Sequence, residues 1–276
     1  MYEEYYESIP DVDKYLERIG MERPTQLNKE YLDRLTYSHQ KTVPFENLNP
    51  YYYKIPAVLT PKELYEKVVV ARRGGYCFEL NGIYVQLLKD LGFDAYTCPC
   101  RIVMGGDNNR PVSHRGNIVT INGVKHFCDV GFGGPSPGGS VEMIEGKRQQ
   151  VQNEIYWFEK YKPYWWLLMR EVENLAEAVG MCGMPPTEKV QSVLLVSEAL
   201  WEPFDFISLN DAFSAGPEAR FGQRLNLNIK KEDGHASLSH NKLTVKTGGV
   251  KESKEIDIDD IEVLKEALLE HFGIVL

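Results

Sequence analysis

A cysteine, a histidine and an aspartate stand in this chain at positions 77, 114 and 129, a set of side chains that can carry nucleophilic acyl chemistry. Cys77 follows Arg72-Arg73-Gly74-Gly75-Tyr76 and opens the helix-compatible run Phe78-Glu79-Leu80-Asn81. Glycines that break the chain just before a helical pattern put the thiol at a helix N-terminus, where unpaired N–H groups and the helix dipole favour negative charge. The thiolate is the nucleophilic form of cysteine, so this position suits attack on a carbonyl. Taken alone, the segment leaves open a purely structural cysteine at a helix start.

Asn122-Gly123 lies between two β-rich runs, Ser113–Ile121 and Val124–Val130, a strong signal for a two-residue hairpin turn. With that turn Ile121 faces Val124, and stepping outward sets Gly116 opposite Asp129 and His114 opposite Gly131. These four residues then share one face, with His114 and Asp129 as diagonal neighbours about 7–8 Å apart. The glycines at 116 and 131 are expected to leave open space around the two functional groups. The same register sends His126 to the other face with Cys128, as a surface or satisfied strand residue. A carboxylate holding one imidazole nitrogen frees the other to take a proton from a thiol, the arrangement cysteine catalysis needs.

The elements that must position these groups change character along the chain. Residues 1–92 read as helical. Asp11 caps a short helix ending at Gly20, and Asn28 opens one with Tyr31, Leu32, Leu35 and His39 on one face. Thr60-Pro61-Lys62-Glu63 reads as a capping box with proline in the first turn, starting a helix through Val70. The helix opened by Cys77 turns Leu80, Tyr84, Leu87, Leu88 and Leu91 inward and closes at Gly92. From Ala95 short alternating segments predict an antiparallel sheet or small barrel: 97–103, the hairpin, 155–161 and 165–170. Beyond it, Val190 to Ala199 reads as an apolar helical run, followed by strands at 225–229 and 242–246 and a helix from Asp259 to Phe272. The lysine- and glutamate-rich stretch 246–255 reads as a solvated turn.

Several motifs together resemble the arylamine N-acetyltransferase family. Arg73-Gly74-Gly75-Tyr76-Cys77-Phe78-Glu79 with Asn81 matches its nucleophile motif, Ser113-His114 its histidine position and Asp129-Val130-Gly131-Phe132-Gly133 its aspartate motif. Tyr15-Leu16-Glu17-Arg18-Ile19-Gly20 and Pro44-Phe45-Glu46-Asn47-Leu48 repeat two further signatures, so the resemblance runs over residues 15–134 with a looser echo from Phe204 to Leu243. It implies an α+β fold with a helical bundle over residues 1–92, a β-barrel over 93–200 and an α/β lid over 201–276, built on a catalytic core like that of cysteine proteases and transglutaminases. It also implies ping-pong transfer of an acetyl group from acetyl-CoA through an acetyl-Cys77 thioester to an aromatic amine or hydrazine. His114 would be the base and Asp129 its orienter, with Phe45 and Phe132 at the aromatic substrate and the Gly133-Gly134 backbone near the CoA pyrophosphate. A role in xenobiotic metabolism is part of that implication. The C-terminal stretch Ser214–Phe221 departs from the family's usual Ser-Thr-His-Pro run, and Pro135–Ser140 is unusually glycine-rich; both touch the CoA region rather than the triad.

Composition narrows the alternatives. The chain has 276 residues and a formal net charge of −9 with no basic stripe, which argues against nucleic-acid binding. No apolar run reaches membrane-spanning length and the acidic start is unlike a signal peptide, so a cytoplasmic protein with reduced cysteines is expected. Cys98-Pro99-Cys100 is too tight for the usual zinc spacing, so no metal is expected, and Cys98, Cys100, Cys128 and Cys182 read as small buried hydrophobes. His235, His240 and His271 sit in polar or terminal contexts without a partner pattern. Three rival readings remain beside the transferase: a papain- or transglutaminase-like hydrolase with the same Cys, His, Asp order, a related amide synthase using an acyl donor other than acetyl-CoA, and a non-catalytic homologue that binds aromatic ligands or CoA.

Overall fold

The computed structural model describes residues 2–104, 108–173, 189–215 and 219–276; Cys182 lies outside them. The first part is helical. Helix α1 (Val12–Arg18) is capped by the Asp11 carboxylate, which accepts the Lys14 N–H at 3.0 Å. Helix α2 (Lys29–Thr42) is capped by Asn28, which accepts from Tyr31 N–H at 2.9 Å, and it buries Tyr31, Leu32, Leu35 and His39 as its periodicity predicts. Thr60 does not cap: its hydroxyl is buried without a partner, and helix α3 (Pro61–Tyr65) passes at Glu66 into a wider π-type turn ending at Val70. Helix α4 (Cys77–Asp90) is buried on nearly every side, with Leu80, Ile83, Tyr84, Leu87 and Leu88 in the core it shares with α2.

Between α2 and α4 runs β1 (Phe45–Glu46), two residues that tie the molecule together. On one side Glu46 N–H donates to Gly75 O at 2.9 Å, and Gly75 N–H returns to Pro44 O at 3.3 Å. A Cβ on Gly74 would stand 1.9 Å from Pro44 O, and one on Gly75 would collide with the Glu79 side chain. The double glycine is therefore a packing requirement as much as a helix breaker. On its other side β1 pairs with the C-terminal sheet.

The central sheet has eight antiparallel strands in the order β5-β4-β3-β2-β9-β8-β7-β6. They are β2 (Asp94–Ile102), β3 (His114–Ile121), β4 (Val124–Cys128), β5 (Val141–Glu142), β6 (Gln149–Val151), β7 (Glu154–Lys162), β8 (Trp165–Glu171) and β9 (Val190–Ser197). Gly146 N–H donates to Phe158 O at 2.8 Å and curls the β5 edge back onto β7, giving a nearly closed barrel around Ile118, Phe127, Phe158 and Val193. The run from Val190 is a strand, not the helix its apolar residues suggest. It is hydrogen-bonded to both β2 and β8 and buried along its length, and a strand buried on both faces is continuously apolar.

The last part is a five-stranded antiparallel sheet, β1-β10-β11-β12-β13, built from β10 (Asn226–Lys231), β11 (Gly234–Ser239), β12 (Lys242–Thr247) and β13 (Val250–Glu255). Helix α7 (Ile261–Phe272) packs on it through Leu264, Leu268 and Phe272 and stops at Gly273, whose φ is +68°. The stretch read as a solvated turn is a Gly248-Gly249 turn followed by the fully exposed β13. Helices α5 (Ile207–Ser214) and α6 (Arg220–Gln223) link this sheet to the barrel. The class is α+β, as expected, with a helical bundle, an antiparallel barrel and an α/β lid.

A buried ionic network braces the Cys77 helix. Lys67 Nζ lies 2.7 Å from Glu79 and 3.4 Å from Glu46, and Arg73 reaches Glu46 at 2.8 Å. Burial opposes charge on Glu46, but Lys67 and Arg73, with the Leu48 N–H, hold its carboxyl below the usual range. Removing one partner leaves buried charges uncompensated, so Glu46→Ala is expected to cost about 3–5 kcal/mol in urea unfolding. A loss near zero would show that the network contributes nothing.

Candidate active site

Tyr76 is the N-cap of α4 and Cys77 its first residue, so the thiol sits among the unpaired N–H groups that the glycine pattern predicts. The Glu79 carboxylate accepts the Tyr76 N–H at 3.0 Å and fixes this turn. The thiol is buried, at 4% exposure, in an aromatic cluster with Tyr76, Phe78 and Phe206, flanked by Phe45, Phe213 and Phe221.

The hairpin has the predicted register: Ile121 faces Val124, Val119 faces His126 and Asn117 faces Cys128, with Asn122 and Gly123 both at positive φ. His126 points away from the aspartate and its Nδ1 meets Val124 O at 2.9 Å. The ladder ends at Cys128, so the expected pairs 116–129 and 114–131 do not form. Beyond it the Asp129 carboxylate accepts the Gly131 N–H at 2.9 Å, and Gln40 holds the Asp129 carbonyl at 2.7 Å, turning the chain out of the sheet. Asp129 still meets His114 across this turn: Nε2 to Oδ2 is 2.6 Å.

The glycines do not leave open space. A Cβ on Gly116 would lie 2.5 Å from the Phe127 ring, and one on Gly131 would lie 2.9 Å from Cys77 Cα. Gly131 lets the aspartate loop press against the start of α4, which is how the histidine–aspartate pair and the cysteine come together.

Because Nε2 is held by Asp129, Nδ1 is the ring nitrogen left for the thiol, to which His114 is also hydrogen-bonded. Burial alone would disfavour an imidazolium. The Asp129 charge and hydrogen bond, with a smaller part from Cys77, outweigh it and raise the His114 pKa to about 10. A raised folded-state pKa contributes stability that is complete below the ordinary value near 6.5 and is lost as pH climbs through about 10. Stability toward urea is therefore expected to fall across this window, and to fall less in His114→Gln. Identical slopes in both proteins would contradict the pairing.

Sequence reasoning gave no role to Asn81, although it lies within the cysteine motif. Its amide donates to Asp129 Oδ1 at 2.8 Å and to Arg115 O at 2.6 Å, while its oxygen accepts Val130 N–H at 3.0 Å. One side chain on α4 thus fixes the aspartate across the joint between helix and barrel. Its signal was the spacing of one helical turn from Cys77 on the same helix face.

The expected substrate residues are adjacent to this centre. Phe132 stands edge-on to the His114 ring at 5.5 Å, and Phe45 packs at 6.1 Å from Phe221. Gly133, with φ +66°, could not carry a side chain, because its Cβ would fall 2.6 Å from the Phe45 ring; a Cβ on Gly134 would meet Phe132 at 3.2 Å. Both glycines are accounted for by the two phenylalanines. Cys98, Cys100 and Cys128 are fully buried and form no disulfide, with burial the leading cause that pushes the Cys100 and Cys128 thiols up. Among the described residues no group of three or more His, Cys, Asp or Glu converges as a metal site, and no helix is long and apolar enough to cross a membrane.

Comparison with known proteins gives one consistent result. Residues 28–276 match the sequence-family model described as N-acetyltransferase. The arylamine N-acetyltransferase of Escherichia coli K12 is 34% identical over 155 residues, an alignment covering 53% of this chain and 52% of that protein. The chain spans about half the length of the first curated relatives it matches. Structural likeness runs further: the arylamine N-acetyltransferase from M. tuberculosis superposes with TM-score 0.82 at 27% identity, covering 96% of this chain and 94% of that one. The Mycobacterium marinum arylamine N-acetyltransferase in complex with CoA gives TM-score 0.81 at 26% identity, covering 96% and 93%.

Proposed function

This chain belongs to the arylamine N-acetyltransferase family, and on that premise we propose that it transfers an acetyl group from acetyl-CoA to an aromatic amine or hydrazine by a ping-pong route. The observation that carries the reading is the Cys77–His114–Asp129 constellation, with Asp129 2.6 Å from the imidazole and the thiol on its other side. The CoA-bound relative supports the choice of donor.

In the first half-reaction His114 Nδ1 takes the thiol proton and Sγ attacks the thioester carbonyl. The tetrahedral adduct collapses with cleavage of the bond to the CoA sulfur, which leaves as the thiol with the proton from His114. In the second, the amine attacks acetyl-Cys77, His114 accepts the amine proton, and collapse returns the proton to Cys77 as the amide departs. Asp129 holds the imidazole through Nε2 and stabilises its charged form throughout. The N–H groups at the start of α4 are the proposed donors to the developing oxyanion. Phe132 and Phe45 offer flat apolar contacts for an aromatic acceptor, and the Gly133-Gly134 backbone is the proposed approach for the CoA pyrophosphate. We place the bundle, barrel and lid at residues 1–92, 93–200 and 201–276, with the site at their junction, and the protein in the cytoplasm.

Intact-protein mass after mixing with acetyl-CoA tests this directly. The expected result is one acetyl adduct, discharged when an arylamine is added. An adduct that forms but resists every amine would refute the acceptor class. No adduct at all would overturn the donor and favour an amide synthase or a non-catalytic binder.

A further inference from the structure

Away from the thiol, on the far side of α4, a cavity of about 30 Å³ lies between that helix, β2 and the segment 200–203. Its inner wall is the Arg115 side chain, 1% exposed. Arg115 Nε donates to the Thr97 hydroxyl at 2.8 Å and Nη1 to the Phe78 carbonyl at 3.3 Å, and the guanidinium lies 4.8 Å from the Phe206 ring centre. Both of these bonds go to neutral oxygens, and among the described residues no carboxylate comes within ion-pairing distance of the guanidinium. The chain makes room for this cation at a cost, because Gly82 stands inside helix α4, where a Cβ would lie 2.8 Å from Nη1.

A buried charge without a counter-charge is strongly unfavourable, and native structures pair such groups. Burial lowers the Arg115 pKa to about 9, outweighing the opposing pull of the Cys77 and Cys98 thiols, the only negative groups that act on it among the described residues. Two charged groups stand at the rim. Lys89 adds positive charge, and Glu202 is held by the Tyr6 hydroxyl at 2.8 Å. The space is ample for a water-sized guest, the scale of a small monovalent anion. We propose that this cavity binds a chloride-sized anion against Arg115, completing the charge balance of a buried site that lies one peptide from the nucleophile. The anion would accept from Nη2, and through Nη1 and the Phe78 carbonyl the occupied site would steady the first turn of α4.

Thermal midpoints of the full chain in sodium chloride and in sodium gluconate at matched ionic strength test the proposal, together with bromide-soaked crystals read by anomalous scattering. The expected result is a saturable, halide-specific rise of about 3 °C and a bromide peak at the guanidinium. Arg115→Met should lose the halide-specific rise; if that variant does not fold, the wild-type titration and the bromide map decide. Equal midpoints in the two salts overturn the proposal, as does water alone beside Arg115. A bromide peak without a midpoint difference is binding at crystal concentration only and overturns it as well.

Discussion

Cys77→Ala is expected to abolish acyl transfer, by about 10⁴-fold or more, while the protein stays folded. No other thiol can substitute among the described residues. Cys98 and Cys100 lie on β2, facing Gly116 and His114 across the ladder, and with Cys128 they are sealed in the barrel and bundle cores without exposure. The substitution removes one sulfur from an aromatic cluster whose rings hold one another, Tyr76 to Phe221 at 4.6 Å and Phe78 to Phe206 at 5.9 Å. The structural cost should therefore be small, and thermal midpoint and turnover measured on the same preparation separate the two effects. Substantial acetylation of an arylamine by the alanine variant would sink the covalent route.

Asp129→Asn should be nearly as damaging, at about 10³–10⁴-fold in kcat/KM. The carboxylate is acceptor-only: Oδ1 takes N–H groups from Asn81 and Gly131, and Oδ2 takes His114. An amide oriented to keep the two Oδ1 bonds presents an NH₂ group to Nε2, which must then give up its hydrogen to avoid facing donor with donor. The imidazole proton moves to Nδ1, the nitrogen that has to accept from the thiol. Loss of the carboxylate also removes the charge that favours imidazolium. The rate of iodoacetamide alkylation at Cys77 against pH should therefore change together with turnover. Wild-type rates and profile in the variant would mean that His114 is held by something else.

The local parts of this site were legible because their signals are local. Asn122-Gly123 sets the hairpin register from two residues, and that register alone separates His114 from His126. The loss of register after Cys128 was not visible, since Gln40 and Asn81, the residues that draw Asp129 out of the sheet, lie 89 and 48 positions away. The same blindness applies to the glycines. Gly116 and Gly131 read as open space, whereas the Phe127 ring and the Cys77 backbone come from elsewhere in the fold to fill it. At Thr60 the capping pattern was present, yet its hydroxyl turned inward without a partner. For Val190 to Ser197 period alone could not distinguish a doubly buried strand from a core helix, and only pairing with β2 and β8 decides it. The motif resemblance supplied the lid and the overall class, which alternation and capping could not.

The short strand β1 has a consequence for assembly of the active site during synthesis. Its neighbour Asn47 donates to the carbonyls of Phe221 and Arg224 and accepts the Asn226 N–H, while Glu46 and Pro44 hold the glycines that lead into Cys77. These links join residues separated by 174 to 179 positions. Such distant closures are slow and form late. A nascent chain that has released its helices and barrel from the ribosome still lacks the strand that pins the nucleophile's approach from the far side. The reactive thiol is therefore set in its final place only after residues 221–231 have emerged and β10 claims β1.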